Sequence, residues 1–215
     1  MADTRSLASD AAPSRREHWE GIYASRSEEE LSWFQARPAV SLRLVASAGV
    51  GPDARIVDVG GGASRLVDAL LDAGFRRVAV LDVADGALEK SRRRLGPRAA
   101  AVEWIACDVT AWRPGAPFDL WHDRAVFHFL TRPEDRQAYR AALGAALRPG
   151  GQVVIGTFSS AGPEKCSGLP VVRWEPETLA AELGPGFRLV ESARDEHVTP
   201  AGKVQRFQFS RFVRA

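Results

Sequence analysis

Residues 55–64 read RIVDVGGGAS, and the fold follows from how this stretch is read. Arg55 to Val59 is a short apolar run broken by Asp58, with the length of a buried strand. Gly60, Gly61 and Gly62 follow at once, and Ser64 opens a segment of helical periodicity. A strand, a glycine turn and a helix N-terminus bring backbone N–H groups to a point where they can face an anionic or polar ligand. Glycine lets the backbone approach that ligand with no Cβ in the way. A dinucleotide fingerprint starting at Gly60 requires glycine at position 65, which is Arg65. What remains is D-x-G-x-G. Asp58 is expected at the strand end, facing the ligand and needing a cationic or donor partner, because a buried unpaired carboxylate is costly. The α-amino group of a methionine moiety would serve.

Downstream, Leu66, Val67, Leu70 and Leu71 mark a helix from Ser64, with Gly74 beyond its end. Arg77 to Leu81 reads as the second strand and closes on Asp82, 22 residues after Gly60. An acid at that place can accept hydrogen bonds from a ribose hydroxyl pair. After a helix over 84–95, Val102 to Ala106 is a third strand, followed by Cys107, Asp108 and Val109. Asp108 can accept from an exocyclic adenine amine, and Val109 can offer its N–H to a ring nitrogen. Cys107 reads as a small buried hydrophobe. Phe118 to Trp121 is the fourth strand, with His122-Asp123-Arg124 expected together at its carboxyl end, where open α/β sheets bind ligands. His128 stands among Phe127, Phe129 and Leu130, a setting that fits either a core histidine or a functional one.

The rest of the chain frames this centre. A helix over 135–147, a strand over 152–158, a loop over 159–170 and a helix over 176–183 come next. Strands over 187–192 and 204–213 close the chain, and the alternation in VQRFQFSRF fits an antiparallel pair. Upstream, residues 1–13 are small and polar and read as disordered. Ser14 and Glu17 form a capping box for a helix over 14–25. The turn SEEEL leads to Trp33-Phe34, and a helix after Pro38 ends at Gly49. Residues 14–49 therefore read as a helical cap on one domain spanning 14–215. A net charge of +2 gives no global argument for nucleic acid or an anionic membrane. Two cysteines, Cys107 and Cys166, are too few for a disulfide framework and point to a reduced, cytoplasmic setting. No spacing of His or Cys suggests a metal site, and the basic run at Arg92, Arg93, Arg94 and Arg98 reads as a solvated helix end.

Asp58 with Gly60 and Gly62, Asp82, and Asp108, each after its strand, resemble three successive motifs of the class I S-adenosylmethionine-dependent methyltransferases. Ser64 stands where many members have a third glycine. The resemblance implies an α/β, Rossmann-like doubly wound sheet of seven strands, mostly parallel, in the order 3-2-1-4-5-7-6 with strand 7 antiparallel. It implies S-adenosyl-L-methionine as cofactor, with Trp33, Asp58, Gly60, Gly61, Gly62, Ser64, Asp82, Val83, Asp108 and Val109 as its binding set. More narrowly, HWEGIY, SWFQ, FDLWHDRAV and GPEKCSGLPV look like the thiopurine, thiol and halide methyltransferase group. On that resemblance Trp33 covers the cofactor and Arg124 faces the acceptor, with Phe34 and Cys166 as further acceptor contacts. Ala125 departs from the glycine common in that group, so acceptor identity does not carry over. Some protein-lysine methyltransferases share a similar Trp-Phe segment, and a non-catalytic binding module of the same fold is a third reading.

A sulfonium methyl is already a strong electrophile, so such a protein must align the groups and exclude water. A thiolate or other soft anion needs no base at the transfer step, and an arginine favours its ionised form. An amine or hydroxyl would require His122, Asp123 or His128 as a base. The expected acceptor is a small molecule with a soft or anionic nucleophile, handled by a monomer or weak dimer.

Overall fold

The computed structural model describes residues 13–215, so the disorder expected for the first residues falls outside the described part except at Pro13. Seven strands form one sheet: β1 (Arg55–Val59), β2 (Arg77–Asp82), β3 (Val102–Ala106), β4 (Phe118–Arg124), β5 (Leu147–Phe158), β8 (Phe187–Val198) and β9 (Val204–Arg214). A separate two-stranded ribbon, β6 (Lys165–Cys166) with β7 (Leu169–Pro170), lies between β5 and β8 in the chain. The sheet order is β3-β2-β1-β4-β5-β9-β8. Counting only sheet strands, this is the expected 3-2-1-4-5-7-6. β1 to β5 pair in parallel, and β9 runs antiparallel to both β5 and β8.

Side chains alternate across this sheet with a period of two. Val57, Val59, Ala79, Leu81, Trp121, Val153 and Ile155 pack with α5 (Pro133–Ala146) and α6 (Pro176–Leu183). Ile56, Val78, Val80 and Leu120 pack on the other face with α2 (Ala39–Ser47), α3 (Leu66–Asp72) and α4 (Asp85–Leu95). Covering both faces explains why the parallel strands read as continuous apolar runs rather than alternating ones.

Three differences from the sequence expectation bear on the site. β4 continues through His122 and Asp123 to Arg124, so these residues obey strand alternation rather than forming a loop. β8 extends to Val198, which carries the β8–β9 hairpin past the sheet edge. The loop over 159–170 contains a tight hairpin with Ser167 at φ +49° and Gly168 at φ +80°. Positive φ at both turn residues is the geometry that matches the twist of two-residue hairpins.

The N-terminal cap is α1 (Arg15–Ser25), a 3-10 turn (Glu28–Glu30) and α2. Ser14 and Glu17 close the expected capping box on α1. The acidic turn is latched to the body: Glu28 pairs with Arg65 at 3.4 Å and Arg94 at 2.6 Å, and Glu29 with Arg65 at 3.3 Å. Glu20 accepts from the N–H groups of Asp85 and Gly86 at the start of α4. Arg65, which breaks the dinucleotide fingerprint, thus fastens the cap beside the glycine turn.

Candidate active site

A cleft opens at the carboxyl ends of β1 to β4, with a cavity volume of about 140 Å³. Gly60, Asp82, Val83, Asp108 and Val109 line one end; Arg124, Cys166, Gln205 and Phe207 line the other. Arg15, Trp19, Tyr23 and Trp33 from the cap contribute a roof rich in aromatic rings. Trp33 meets Trp19 and Tyr23 edge-on at 5.8 and 6.0 Å between centroids. Such edge-on contacts help fix the ring.

The glycine turn differs in detail from the sequence expectation. Gly60 alone of the three reaches the cleft, at φ +68°. Gly61 and Gly62 lie behind it and make room for acids: a Cβ would fall 2.6 Å from Asp58 Oδ2 at Gly61, and 2.7 Å from Asp82 Oδ2 at Gly62. Ser64 is turned away, its Oγ accepting from the Leu66 N–H at 3.1 Å, so it opens α3 and does not line the cleft.

Each of the three expected acids has a distinct environment. Asp58, expected to face the ligand, is buried and does not line the cleft; its Oδ1 meets His122 Nδ1 at 2.7 Å, while its Oδ2 has no partner among the described residues. Asp82 accepts from the Ala84 N–H at 2.9 Å. Burial, helped by the charges of Asp58 and Glu20 and opposed by that hydrogen bond, raises its carboxyl to about 7. Asp108 is half-buried. Burial works against its ionisation, but hydrogen bonds from Thr110 and Arg15 hold it below the usual carboxylate range. Its Oδ1 takes both bonds from Thr110 and its Oδ2 pairs with Arg15 at 3.0 Å. One acceptor position on Oδ2 is left toward the cleft.

His122, Asp123 and Arg124, expected to act together, are separated by strand alternation. His122 shares the α2 face with Asp58, its register partner on β1, and its Nε2 meets Ser41 Oγ at 2.9 Å. Asp123 points to the α5 face, is fully buried, and accepts from the N–H groups of Val126 and Phe127 and from the Tyr139 hydroxyl. Burial raises its carboxyl to about 6 against those bonds. Neither residue lines the cleft, which corrects their assignment as catalytic residues. His128 is corrected likewise. It packs against Phe129 and Phe158, accepts from the Phe158 N–H at 3.3 Å, and is pushed down to about 3 by burial and by the Arg124 charge. It is a neutral core imidazole and a weak base. Phe34 also misses the cleft and lies under the Arg65 guanidinium at 5.6 Å.

Arg124, at the strand end, does enter the cleft. Its Nη1 donates to the Trp33 carbonyl at 2.8 Å and its guanidinium lies over the Phe207 ring at 5.0 Å. Its Nε and Nη2 have no partner among the described residues. Burial lowers its basicity to about 10, a cost that the charges of Asp195 and Asp58 offset only in part. Ala125 follows at φ +73°, a region that disfavours any side chain and explains the glycine common at this place in the resembling group. Cys166 lines the cleft as expected, its thiol raised by burial. Arg15, Cys107, Leu169, Gln205 and Phe207 are cleft residues that sequence reading did not assign. The alternation of VQRFQFSRF could have indicated that Gln205 and Phe207 share a face, but not which one. Among the described residues no cluster of His, Cys, Asp and Glu could hold a metal ion, and no helix is long and apolar enough to cross a membrane.

Comparison with known proteins agrees with this geometry. Residues 56–151 match a family model described as a methyltransferase domain. The chain is 29% identical over 188 residues to thiocyanate methyltransferase 1 of Arabidopsis thaliana, covering 86% of this chain and 81% of that protein. Its fold superimposes on a methyltransferase of Anabaena variabilis with a TM-score of 0.74 at 16% identity, covering 95% and 96% of the two chains. It also superimposes on 1,6-didemethyltoxoflavin-N1-methyltransferase of Burkholderia thailandensis, with a TM-score of 0.70 at 22% identity and coverage of 96% and 93%. A methyltransferase domain over residues 56–151 on this Rossmann-like sheet supports an S-adenosylmethionine-dependent methyltransferase activity.

Proposed function

We propose that the protein transfers a methyl group to a small-molecule acceptor with a soft or anionic nucleophile, a thiolate in the first instance. The observation that carries this reading is Arg124, a half-buried cation whose buried Nε and Nη2 have no partner among the described residues. A desolvated, uncompensated charge costs several kcal/mol, and an anionic acceptor removes that cost on binding. A lysine ammonium would be repelled instead. A further feature disfavours the protein-lysine reading: Glu28 and Glu29 are paired with Arg65 and Arg94.

The cofactor's residues fit it. Among the cleft residues Asp82 suits a hydroxyl pair and Asp108 with Val109 an adenine edge, and beside Gly61 the unpartnered Oδ2 of Asp58 suits an ammonium. When bound, S-adenosylmethionine supplies an electrophilic sulfonium methyl and leaves as S-adenosylhomocysteine, while the acceptor sulfur gains the new bond to carbon. Arg124 draws the anionic acceptor in, the thiol proton having gone to water. Trp33 and Trp19 exclude water above, and Gly60 keeps the floor open. No base is required, which agrees with the burial of His122, Asp123 and His128 away from the cleft. We further propose residues 14–215 as one domain acting in the cytoplasm, with 14–49 as its cap.

Release of S-adenosylhomocysteine measured with thiols, halides, phenols and lysine peptides tests the reading. Turnover of thiols well above lysine peptides is expected. Turnover restricted to lysine peptides, or none with any acceptor despite tight cofactor binding, would contradict it.

A further inference from the structure

We infer that the acceptor carries a carboxylate besides its nucleophilic atom, and that the Nε–Nη2 edge of Arg124 binds that carboxylate side-on. This rests on the proposed reading of the Arg124 end as the acceptor site. A guanidinium offers five N–H donors in a rigid plane. In Arg124 the Nη1 corner is taken by the Trp33 carbonyl at 2.8 Å, and Phe207 covers one face of the plane at 5.0 Å. The two nitrogens without a partner among the described residues, Nε and Nη2, share one edge. Two parallel N–H groups on one edge match the two oxygens of a carboxylate, the planar arrangement that makes arginine pairs bidentate.

A halide ion or a lone thiolate sulfur presents a single atom and cannot give each donor its own acceptor. Because Trp33 fixes the Nη1 corner, the edge cannot rotate away to find water elsewhere without breaking that bond. Gln205 adds a neutral polar group at the same end of the cleft, its Oε1 also buried without a partner among the described residues. Phe129, Leu130 and Leu169 supply apolar wall. The site therefore suits an acceptor with an apolar body between a carboxylate and a thiol. A carboxylate held by two charge-assisted hydrogen bonds has its lone pairs engaged, so it anchors while the sulfur reacts. The thiolate sulfur forms the bond to the methyl carbon, the carbon–sulfonium bond breaks, and both products of the sulfur exchange are neutral.

The test uses the full chain saturated with S-adenosylhomocysteine, or with S-adenosylmethionine for turnover. Benzoate, which has the anchor and no thiol, is titrated into wild type and Arg124→Lys by calorimetry. In parallel, wild-type kcat/KM is measured for 3-mercaptobenzoate and its methyl ester, corrected to the thiolate fraction, with the product identified by mass spectrometry. We expect benzoate to bind wild type and to bind Arg124→Lys at least about tenfold more weakly, since lysine keeps the charge but not the two-donor edge. The acid should exceed the ester about tenfold in kcat/KM and give a thioether. Equal benzoate binding by the two proteins, absence of benzoate binding to wild type, preference for the ester, or a methyl-ester product from the acid would each overturn the anchor. Thiol turnover without acid preference would leave the proposed function standing and remove the anchor. Arg124-dependent benzoate binding with no thiol turnover would support the anchor and remove the thiol reading. The wild-type acid and ester comparison needs no variant, so a poorly folding Arg124→Lys does not block the test.

Discussion

At the end of the cleft formed by β1, β2 and β3, Asp82 and Asp108 line the wall, and Asp58 on β1 is buried outside the lining. At the other end, Arg124 meets side chains brought in from residues 33, 166, 205 and 207, across the cap, the hairpin and the β8–β9 extension. The first end is local: each acid follows its own strand at a spacing set by one βα unit. The second is non-local, because its neighbours are set by the extra length of β8 and β9 and by where the cap is latched. The first end holds acids, with Asp58 Oδ2 left without a partner among the described residues, and the second holds a cation with two donors unspent. On the proposed reading, the cofactor belongs with the local end and acceptor choice with the assembled one.

That contrast can be broken most severely at Asp123. If it is structural, Asp123→Ala leaves the Val126 and Phe127 N–H groups and the Tyr139 hydroxyl without their acceptor. The expected loss in urea unfolding is about 3–5 kcal/mol. A variant of native stability that had lost only turnover would return Asp123 to the acceptor chemistry. Asp82→Ala probes the local end directly. Loss of a charged hydrogen bond costs roughly 1.5–3 kcal/mol, so S-adenosylhomocysteine should bind more than about tenfold less tightly by calorimetry. Unchanged affinity would mean that the second strand's acid does not hold the cofactor.

The same carboxyl gives a pH signature. In the free protein burial raises Asp82 to about 7 from an ordinary 3.8. The folded chain therefore holds this proton more tightly than the unfolded chain, and the group's contribution to stability falls as pH rises from about 4 to 7. Cofactor binding has the opposite slope. A hydroxyl pair donates to the ionised carboxylate, so affinity should rise by up to about tenfold per pH unit toward pH 7 and level off above it. Affinity that is flat from pH 5 to 8 would remove Asp82 from the site. The smallest effect belongs to Ala125, held at φ +73°. Ala125→Gly relieves that conformation at the expense of a looser unfolded chain, and a gain of about 0.5 kcal/mol in unfolding free energy is expected. A loss would show that the methyl group's packing outweighs the strain.

The fold was legible because the parallel strands are short apolar runs ending in acids at regular intervals, and the glycine turn marks the first of them. The proposed cofactor end was legible in part: Gly60, Asp82, Val83, Asp108 and Val109 line the cleft, whereas Asp58, Gly61, Gly62 and Ser64 do not. The His122-Asp123-Arg124 triple misled because the strand was ended too early, at Trp121. Extended to Arg124, alternation alone sends His122 to α2 and Asp123 to α5. Gln205 and Phe207 were beyond reach, since no local pattern reports how far a hairpin overhangs its sheet. Arg15 was equally hidden: its pairing with Asp108 and Asp135 joins positions far apart in the chain.

The two-ended character of the cleft is tested most directly by titrating S-adenosylhomocysteine into Arg124→Ala and following acceptor turnover in the same preparation. If Arg124 serves the acceptor alone, the dissociation constant for S-adenosylhomocysteine stays within about threefold of wild type while kcat/KM for a thiol acceptor falls by tenfold or more. Loss of S-adenosylhomocysteine binding in this variant, in a protein that unfolds at the wild-type temperature, would contradict the division of the cleft into a cofactor end and an acceptor end.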